Sequence, residues 1–240
     1  MNPGRTLPAN PVVQALAARV RSAGSAPLLT WYRPETGVRT ELSTRTFANW
    51  VDKTANLLQT IGAETQVAGP VSVDHPGHWM SLLWPVAAWQ AGCAYLAGQP
   101  DGDTELAVVG PEAPRQLAGL PTLACSLHPL GLGLGGLPDG VLDFTSEALA
   151  EPDVHWAAPV AEAGVAWLDT GREFSHADTA AVQPQAGRVL VRPGDAWETL
   201  AAAVVGPVLG GGSAVVVEGP ADEAQLDRIR VAERVGGPMA

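Results

Sequence analysis

The sequence predicts an α/β protein built from two similar, layered half-domains, each with a mainly parallel sheet and helices on both faces. Three observations lead to this prediction. Short β-branched segments alternate with helical segments, one strand–helix–strand pattern occurs twice, and a hairpin that ends in serine precedes each copy. Such a repeat indicates two versions of one supersecondary design. The alternative is chance similarity between segments rich in Ala, Gly and Val.

The repeated pattern occupies residues 70–98 and residues 188–219. The two copies share residue types at one constant separation along the chain, and the second copy is shorter between its helix cap and its first strand. The matching pairs are Val71 with Val189, Trp79 with Trp197, Leu82 with Leu200, and Gly92 with Gly210.

Each copy predicts a strand, a helix and a second strand. In the first copy we predict a strand at residues 71–73, a helix at 78–91 and a strand at 93–96, with Gly92 ending the helix. In the second copy the first strand is predicted at residues 189–191. We expect both first strands to be interior and parallel to the strands that follow them.

A hairpin precedes each copy. Residues 28–42 predict two strands, and Ser43 then caps the most amphipathic helix of the chain. Residues 165–174 predict a second, shorter hairpin, after which Ser175 and Asp178 have the spacing of a capping box. The two hairpins support the interpretation of two related halves.

The remaining elements follow from local signals. Asn10 and Pro11 begin an N-terminal helix, because Asn caps helices well and Pro is favoured at the first helical position. The later elements are strands at residues 105–109, 121–127 and 141–144, the last at a sheet edge, a loop at 128–140, and a closing helix at 222–235 that ends in a frayed tail at 236–238.

These elements predict three regions along the chain. Residues 1–27 form an N-terminal helix and tail, residues 28–150 form the first lobe, and residues 151–240 form the second, abridged lobe with the closing helix.

Charge excludes two classes of partner. The chain has 14 Lys and Arg residues against 25 Asp and Glu residues, a formal net charge of −11, and no basic run. We therefore expect no nucleic-acid partner and no anionic membrane surface. Residues 199–217 are uncharged and long enough to cross a bilayer. Pro207 and the glycines at 210–212 interrupt this run, which predicts a helix, a turn and a buried strand.

Cysteine content and the N-terminal residues indicate a cytoplasmic protein. Cys93 and Cys125 lie in apolar, strand-like segments without metal or disulfide spacing, so we expect buried, reduced thiols. The first residues lack the apolar core of a signal peptide.

Residues in two loops are predicted to line one cleft. Asp74, His75 and His78 lie between the first predicted strand and its helix, and Arg192 and Asp195 occupy the matching loop of the second copy. Loops at the carboxyl ends of parallel strands form ligand crevices. In the alternative interpretation, which we favour, Asp74 and Asp195 cap helices and the histidines face solvent. The His-x-x-His spacing supplies only two metal ligands, so we expect no metal.

Two further patterns are interpreted as structural. Gly131, Gly133 and Gly136 match a dinucleotide-binding fingerprint in letters only, because no helix follows them to receive a pyrophosphate. Four tryptophans fall on predicted helical faces and are expected in the core, namely Trp50, Trp79, Trp84 and Trp89. Trp84 and Trp89 have an alternative role as anchors of a dimer or ligand surface.

Several segments resemble the N-terminal lobes of the AMP-forming acyl-CoA synthetase and adenylate-forming superfamily. Residues 39–57 resemble a family segment of the type LTYAELDERANRLA, and residues 90–96, QAGCAYL, resemble KAGAVYVPL. Residues 209–216, LGGGSAVV, resemble the family pattern LxxGGxxVL. The resemblance spans most of residues 28–235 and implies two similar α/β lobes.

The sequence departs from that family where ATP is bound. The family has a phosphate loop, roughly TSGTTGxPKG, in which backbone N–H groups surround phosphates and a lysine neutralises charge. The corresponding residues here are Asp169, Thr170, Gly171 and Arg172, which lack the lysine and most glycines. We predict a compact hairpin turn in place of a phosphate loop. The resemblance ends near Arg234, so we also expect no counterpart of the family's adenine-binding segment, ribose-binding aspartate or C-terminal domain with its catalytic lysine.

The resemblance and its departures give three functional hypotheses. The first is a catalytically incomplete homologue of acyl-CoA synthetases that acts as a binding or regulatory protein on an unidentified small molecule or protein partner. The second is an adenylate-forming or acyl-CoA-handling fragment that another chain completes. The third is a structural homo-oligomer. No cofactor is expected, and binding of AMP, ATP or CoA is doubtful.

Overall fold

Two sheets organise the chain, and the computed structural model describes residues 7–236. The strands are β1 Pro27–Arg33, β2 Val38–Ser43, β3 Gln66–Ala68, β4 Ala94–Leu96, β5 Leu106–Val109, β6 Thr122–Ala124, β7 Val141–Asp143, β8 Val165–Asp169, β9 Arg172–Ser175, β10 Arg188–Val191 and β11 Ser213–Val217. The helices are α1 Pro11–Ala23, α2 Thr44–Ile61, α3 Pro70–Asp74, α4 Trp79–Ala91, α5 Phe144–Ala150, α6 His176–Ala180, α7 Ala196–Leu200, α8 Gly206–Gly210 and α9 Glu223–Ala232, with a π-helical turn at Ala201–Val205 between α7 and α8.

The larger sheet has seven strands in the order β7-β6-β5-β3-β4-β8-β9, and the smaller has four in the order β10-β11-β1-β2. Within both sheets all pairs are parallel except the two hairpins, β1 with β2 and β8 with β9. The predicted α/β class with mainly parallel sheets is therefore confirmed.

Each hairpin pairs with strands from the other half of the chain. The β1–β2 hairpin joins the smaller sheet, where Leu29 pairs with Ala214 of β11. The β8–β9 hairpin joins the larger sheet, where Trp167 pairs with Tyr95 of β4. Each sheet thus takes strands from both sides of residue 150, so the sheets do not follow the predicted lobes, and the domain boundaries and the internal repeat stay predictions.

Helix α4 lies at the centre of the core. Every residue from Trp79 to Gln90 is buried, including Pro85 inside the helix. A helix that is apolar on all sides must be enclosed by other elements. Helices α1, α2 and α3 and strand β4 contact it. Trp84 and Trp89 are fully buried, so the alternative that they anchor a dimer or ligand surface is wrong.

Local signals place most helix ends where the sequence predicts them. Asn10 caps α1, Ser43 caps α2, and Ser175 and Asp178 form the predicted capping box of α6. Gly92 ends α4 with a positive φ of 88°, a conformation that glycine adopts without strain. The loop at residues 128–140 and the edge position of β7 are also as predicted.

Two strand predictions are wrong. Residues 71–73 belong to helix α3, and the strand is the preceding three-residue β3. Pro70 at the first helical position favours the helix, and β3 is too short to show a period-two pattern. Strand β10 is parallel to β11 as expected, but it lies at the end of the smaller sheet and is not interior.

The uncharged run at residues 199–217 forms a helical segment, a turn and the buried strand β11, as predicted. Between residues 7 and 236, no helix combines the length and apolarity needed to cross a membrane. Part of the predicted C-terminal tail, from residue 237 onward, lies outside the described residues.

Glu233 links the C-terminal end of α9 to the smaller sheet through hydrogen bonds. Its carboxylate accepts hydrogen bonds from Tyr32 Oη at 2.5 Å, from Arg39 Nε at 2.8 Å and from Arg188 Nη2 at 2.5 Å. Burial alone raises the pKa of Glu233, but these hydrogen bonds, led by that from Arg39, lower it to about 2. Leu226 and Ile229 of α9 pack on the same sheet beside this cluster.

We expect Glu233→Gln to lower the free energy of unfolding at neutral pH by about 1.5–3 kcal/mol, the range for hydrogen bonds to charged groups. Because the folded-state pKa of about 2 lies below the ordinary value of 4.5, this stabilisation is complete above pH 4.5. It is lost as the pH falls toward 2, where wild type and variant should converge. Urea denaturation at a series of pH values measures this. Glu223→Gln, at a side chain that is 81% exposed on the same helix, is the control.

Candidate functional site

The turn of the β8–β9 hairpin lies against the loop that precedes α7. Arg172 begins β9 and Asp195 caps α7, and Arg172 Nη2 lies 2.6 Å from Asp195 Oδ2. Both segments were predicted as site segments, one as the phosphate-loop position and one as a cleft loop. The structure brings them together, with Gly171 at the turn in the left-handed conformation (φ 85°).

Arg172 is held by carboxylates. Its Nε and Nη2 atoms donate to the two oxygens of Asp169 at 3.0 and 2.6 Å, and Glu198 lies 3.7 Å from Nη1. Trp167 Nε1 also donates to Asp169, at 2.8 Å. The hydrogen bonds with Asp169, and then with Asp195, raise the pKa of Arg172. This guanidinium is therefore permanently charged and already paired.

Asp195 is ionised in the same arrangement. Burial by itself raises the pKa of Asp195, but the hydrogen bond from Arg172 and the backbone N–H of Glu198 outweigh it and lower the pKa. The Oδ1 atom of Asp195 caps α7 by accepting from Glu198 N at 3.0 Å. The helix-cap role predicted for Asp195 is confirmed.

A small groove of about 200 Å³ lies beside this cluster. Asp169, Thr170, Arg172 and Asp195 supply its polar wall, and Val73 and Ala97 supply apolar contacts. With Glu198 nearby, the carboxylates outnumber the guanidinium, so the net charge is negative. The groove therefore favours a cation or a neutral ligand over an anion.

The two cleft loops meet, but they pack together and leave no opening at their point of contact. A Cβ atom built on Gly77 would lie 2.2 Å from Pro193 Cγ, which shows how closely these loops approach. Arg192 does not line the groove beside Arg172, and its Nη2 atom donates to the carbonyl oxygen of Gly219 at 2.8 Å. Of the predicted cleft residues, only Asp195 shares a site with the phosphate-loop position.

His78 is buried, which corrects the expectation that both histidines face solvent. Its side chain is 1% exposed, its ring lies 4.7 Å from that of Trp31, and its Nδ1 atom caps α4 by accepting from Met80 N at 3.1 Å. Burial, followed by the charge of Arg33, lowers the pKa of His78 to about 3. The cap of α4 is thus His78, not Asp74, because the helix begins later than the aspartate.

His75 and Asp74 lie at the carboxyl end of the larger sheet. His75 Nε2 lies 3.0 Å from Glu112 Oε1, and Asp74 lines a groove of about 180 Å³ together with Glu112 and Arg115. Sequence reasoning did not select Glu112, Arg115 or Glu198. The signal for Glu112 and Arg115 was their position directly after β5, since side chains after parallel strands gather at one sheet edge.

The described residues contain no cluster of three or more His, Cys, Asp or Glu side chains that could hold a metal ion.

Comparisons with known proteins place the fold. The chain is 32% identical over 147 residues to a TIGR03089 family protein of Mycobacterium tuberculosis, and the match covers 56% of this chain and 57% of that protein. It superposes on the crystal structure of an acyl-CoA synthetase from Brucella canis with a TM-score of 0.70 and 17% identity, covering 95% of this chain and 47% of that one. No family model matches the chain. It spans roughly half of each relative and has an acyl-CoA synthetase-like fold.

We expect Arg172→Ala to lower the free energy of unfolding by about 1 kcal/mol, because Asp169, whose side chain is 9% exposed, would keep its charge without its partner. The double variant Arg172→Ala with Asp169→Asn should recover part of this loss, since it removes the unpaired charge. Urea denaturation of the single and double variants measures the coupling. Glu198→Gln, at a side chain that is 73% exposed, is the control and should change little.

His78 should make the protein less stable in mild acid. Its folded-state pKa of about 3 lies below the ordinary value of 6.5, so unfolding takes up a proton once the pH falls below 6.5. We expect this residue to contribute a slope of about 1.4 kcal/mol per pH unit in the free energy of unfolding between pH 6 and pH 4.5. His78→Asn, which keeps a capping oxygen, should reduce the wild-type slope in that interval. An unchanged slope would contradict a buried, neutral histidine.

Proposed function

We propose that this chain is a catalytically incomplete homologue of AMP-forming acyl-CoA synthetases that acts as a binding or regulatory protein. The observation that carries the proposal is the pairing of Arg172 with Asp169 and Asp195 at the position where relatives with this fold are expected to hold phosphate.

Adenylation needs positive charge and oriented N–H donors, because the phosphates and the attacking carboxylate bring negative charge together in the transition state. Losing one preorganised donor of this kind lowers a rate by ~10²–10³. Here two carboxylates already accept hydrogen bonds from Arg172, and Glu198 stands beside them. A phosphate would have to displace these partners and then face their charges.

The short turn gives a second, independent argument. Asp169 and Arg172 pair across the hairpin, so only Thr170 and Gly171 lie between the two strands. A turn of this length presents few backbone N–H groups to a ligand, whereas phosphate loops surround their anion with several. The fold keeps surface grooves for a small molecule or a protein partner, and we propose a cytoplasmic setting in which the buried thiols of Cys93 and Cys125 stay reduced.

The direct test is acid-dependent exchange between ATP and pyrophosphate, measured on the purified chain with a broad panel of carboxylic acids. We expect no exchange above background. Arg172→Ala is the control, because any genuine use of this guanidinium disappears with it. Robust exchange that is lost in Arg172→Ala would refute the proposal and favour an adenylate-forming enzyme fragment that another chain completes.

A calorimetric titration with ATP and with pyrophosphate tests whether removal of the carboxylates allows these ligands to bind. Wild type should bind neither ligand measurably at the hairpin. The double variant Asp169→Asn with Asp195→Asn should bind pyrophosphate more tightly than wild type, because both amides remove the competing charge and leave Arg172 free. Equal binding by the two proteins would show that the carboxylates do not block the site.

A further inference from the structure

Trp156 differs from every other tryptophan of the chain. It is 89% exposed, whereas the other seven are buried or half-buried. It lies in the segment at residues 151–160, between α5 and β8, beside Val154, which is 66% exposed. Tryptophan is enriched at protein interfaces and among the residues that contribute most to binding.

The backbone on both sides of Trp156 is fixed. Asn56 Nδ2 donates to the carbonyl oxygens of Pro152 and Val154 at 3.0 and 3.1 Å. On the other side, Ala158 N donates to the carbonyl oxygen of Gln90 at 2.9 Å. Lys53 adds an ion pair to Asp153 at 2.7 Å. A tryptophan has only two side-chain torsions, so on a backbone that is already held it loses little conformational entropy on binding, which favours an anchoring role.

A groove that suits an indole lies elsewhere on the same chain. It has a volume of about 280 Å³ and runs between α9 and the tip of the β1–β2 hairpin. The apolar lining comes from Tyr32, Pro34, Gly37, Ile229 and Ala232, and Arg228 stands on its wall with no ion pair or hydrogen bond within the described residues.

Charge is complementary between the two surfaces. The segment at residues 151–164 carries no Lys or Arg, and two of its acidic residues, Glu151 and Glu162, have no side-chain ion pair within the described residues. The third, Asp153, is already paired with Lys53. The groove has the guanidinium of Arg228 on its wall, where it can lie over an aromatic ring or beside a carboxylate.

We infer that this protein self-associates by inserting Trp156 of one copy into the α9 groove of a second copy. The contact joins two different surfaces, so it produces either a reciprocal dimer with two such contacts or a head-to-tail array. A single tryptophan buries about 150–250 Å², well below the ~1,200 Å² of a stable interface. The association is therefore weak and reversible.

Sedimentation velocity over a wide range of protein concentration tests this inference. Wild type should show a mass that rises with concentration, and Trp156→Ala should weaken the association at least about tenfold. Ala232→Glu places a bulky charged side chain in the groove and should have the same effect. Both sites are exposed, so the variants should fold, and equal melting temperatures check this. Val231→Ala, at an exposed residue outside the groove lining, is the matched control and should associate like wild type.

A mixture of Trp156→Ala and Ala232→Glu tests the inference most directly. Trp156→Ala keeps an intact groove and Ala232→Glu keeps an intact anchor, so the mixture should form a one-to-one dimer and nothing larger. Protection of the indole from acrylamide quenching should accompany it. A wild type that stays monomeric up to its solubility limit, a Trp156→Ala variant that associates normally, or a mixture that associates no more strongly than either variant alone would each overturn the inference. The first outcome would direct attention to a foreign partner for Trp156.

Discussion

The enclosure of α4 is the constraint on which the rest of the structure depends. Every residue from Trp79 to Gln90 is buried, so no face of this helix is exposed to solvent. Elements must therefore surround it on all sides, and α1, α2, α3 and β4 do so. The buried indoles of Trp84 and Trp89 satisfy their N–H groups within this core, on Cys125 Sγ and on the carbonyl oxygen of Ala166. Large amphipathic rings thus give the core both apolar area and directional contacts.

The β8–β9 hairpin connects that core to the candidate site. Because β8 pairs with β4, the turn at Asp169–Arg172 is positioned by the larger sheet. The loop before α7 follows β10, which belongs to the smaller sheet. The ion pair between Arg172 and Asp195 therefore joins parts of the chain that depend on different sheets. A change in the packing of either sheet would therefore change the geometry of this ion pair.

The proposed function depends on the electrostatics of the β8–β9 turn. The chain has an acyl-CoA synthetase-like fold, the turn of the β8–β9 hairpin is short, and its guanidinium is paired with carboxylates. The same pairing stabilises the folded state locally. Under the proposed function these residues serve structure and not phosphate binding, in line with the general rule that function depends on the site and not on the fold.

The sequence by itself determined the local elements. Asn10, Ser43 and Ser175 specify helix starts, and Gly92 specifies a helix end, because capping and left-handed glycine conformations depend on neighbours only a few residues away. Only the tertiary structure decided which strands pair, the burial of His78, and the meeting of Arg172 with Asp195. Parallel pairing and burial depend on contacts between residues far apart in the chain, and a three-residue strand such as β3 carries too little pattern to reveal them.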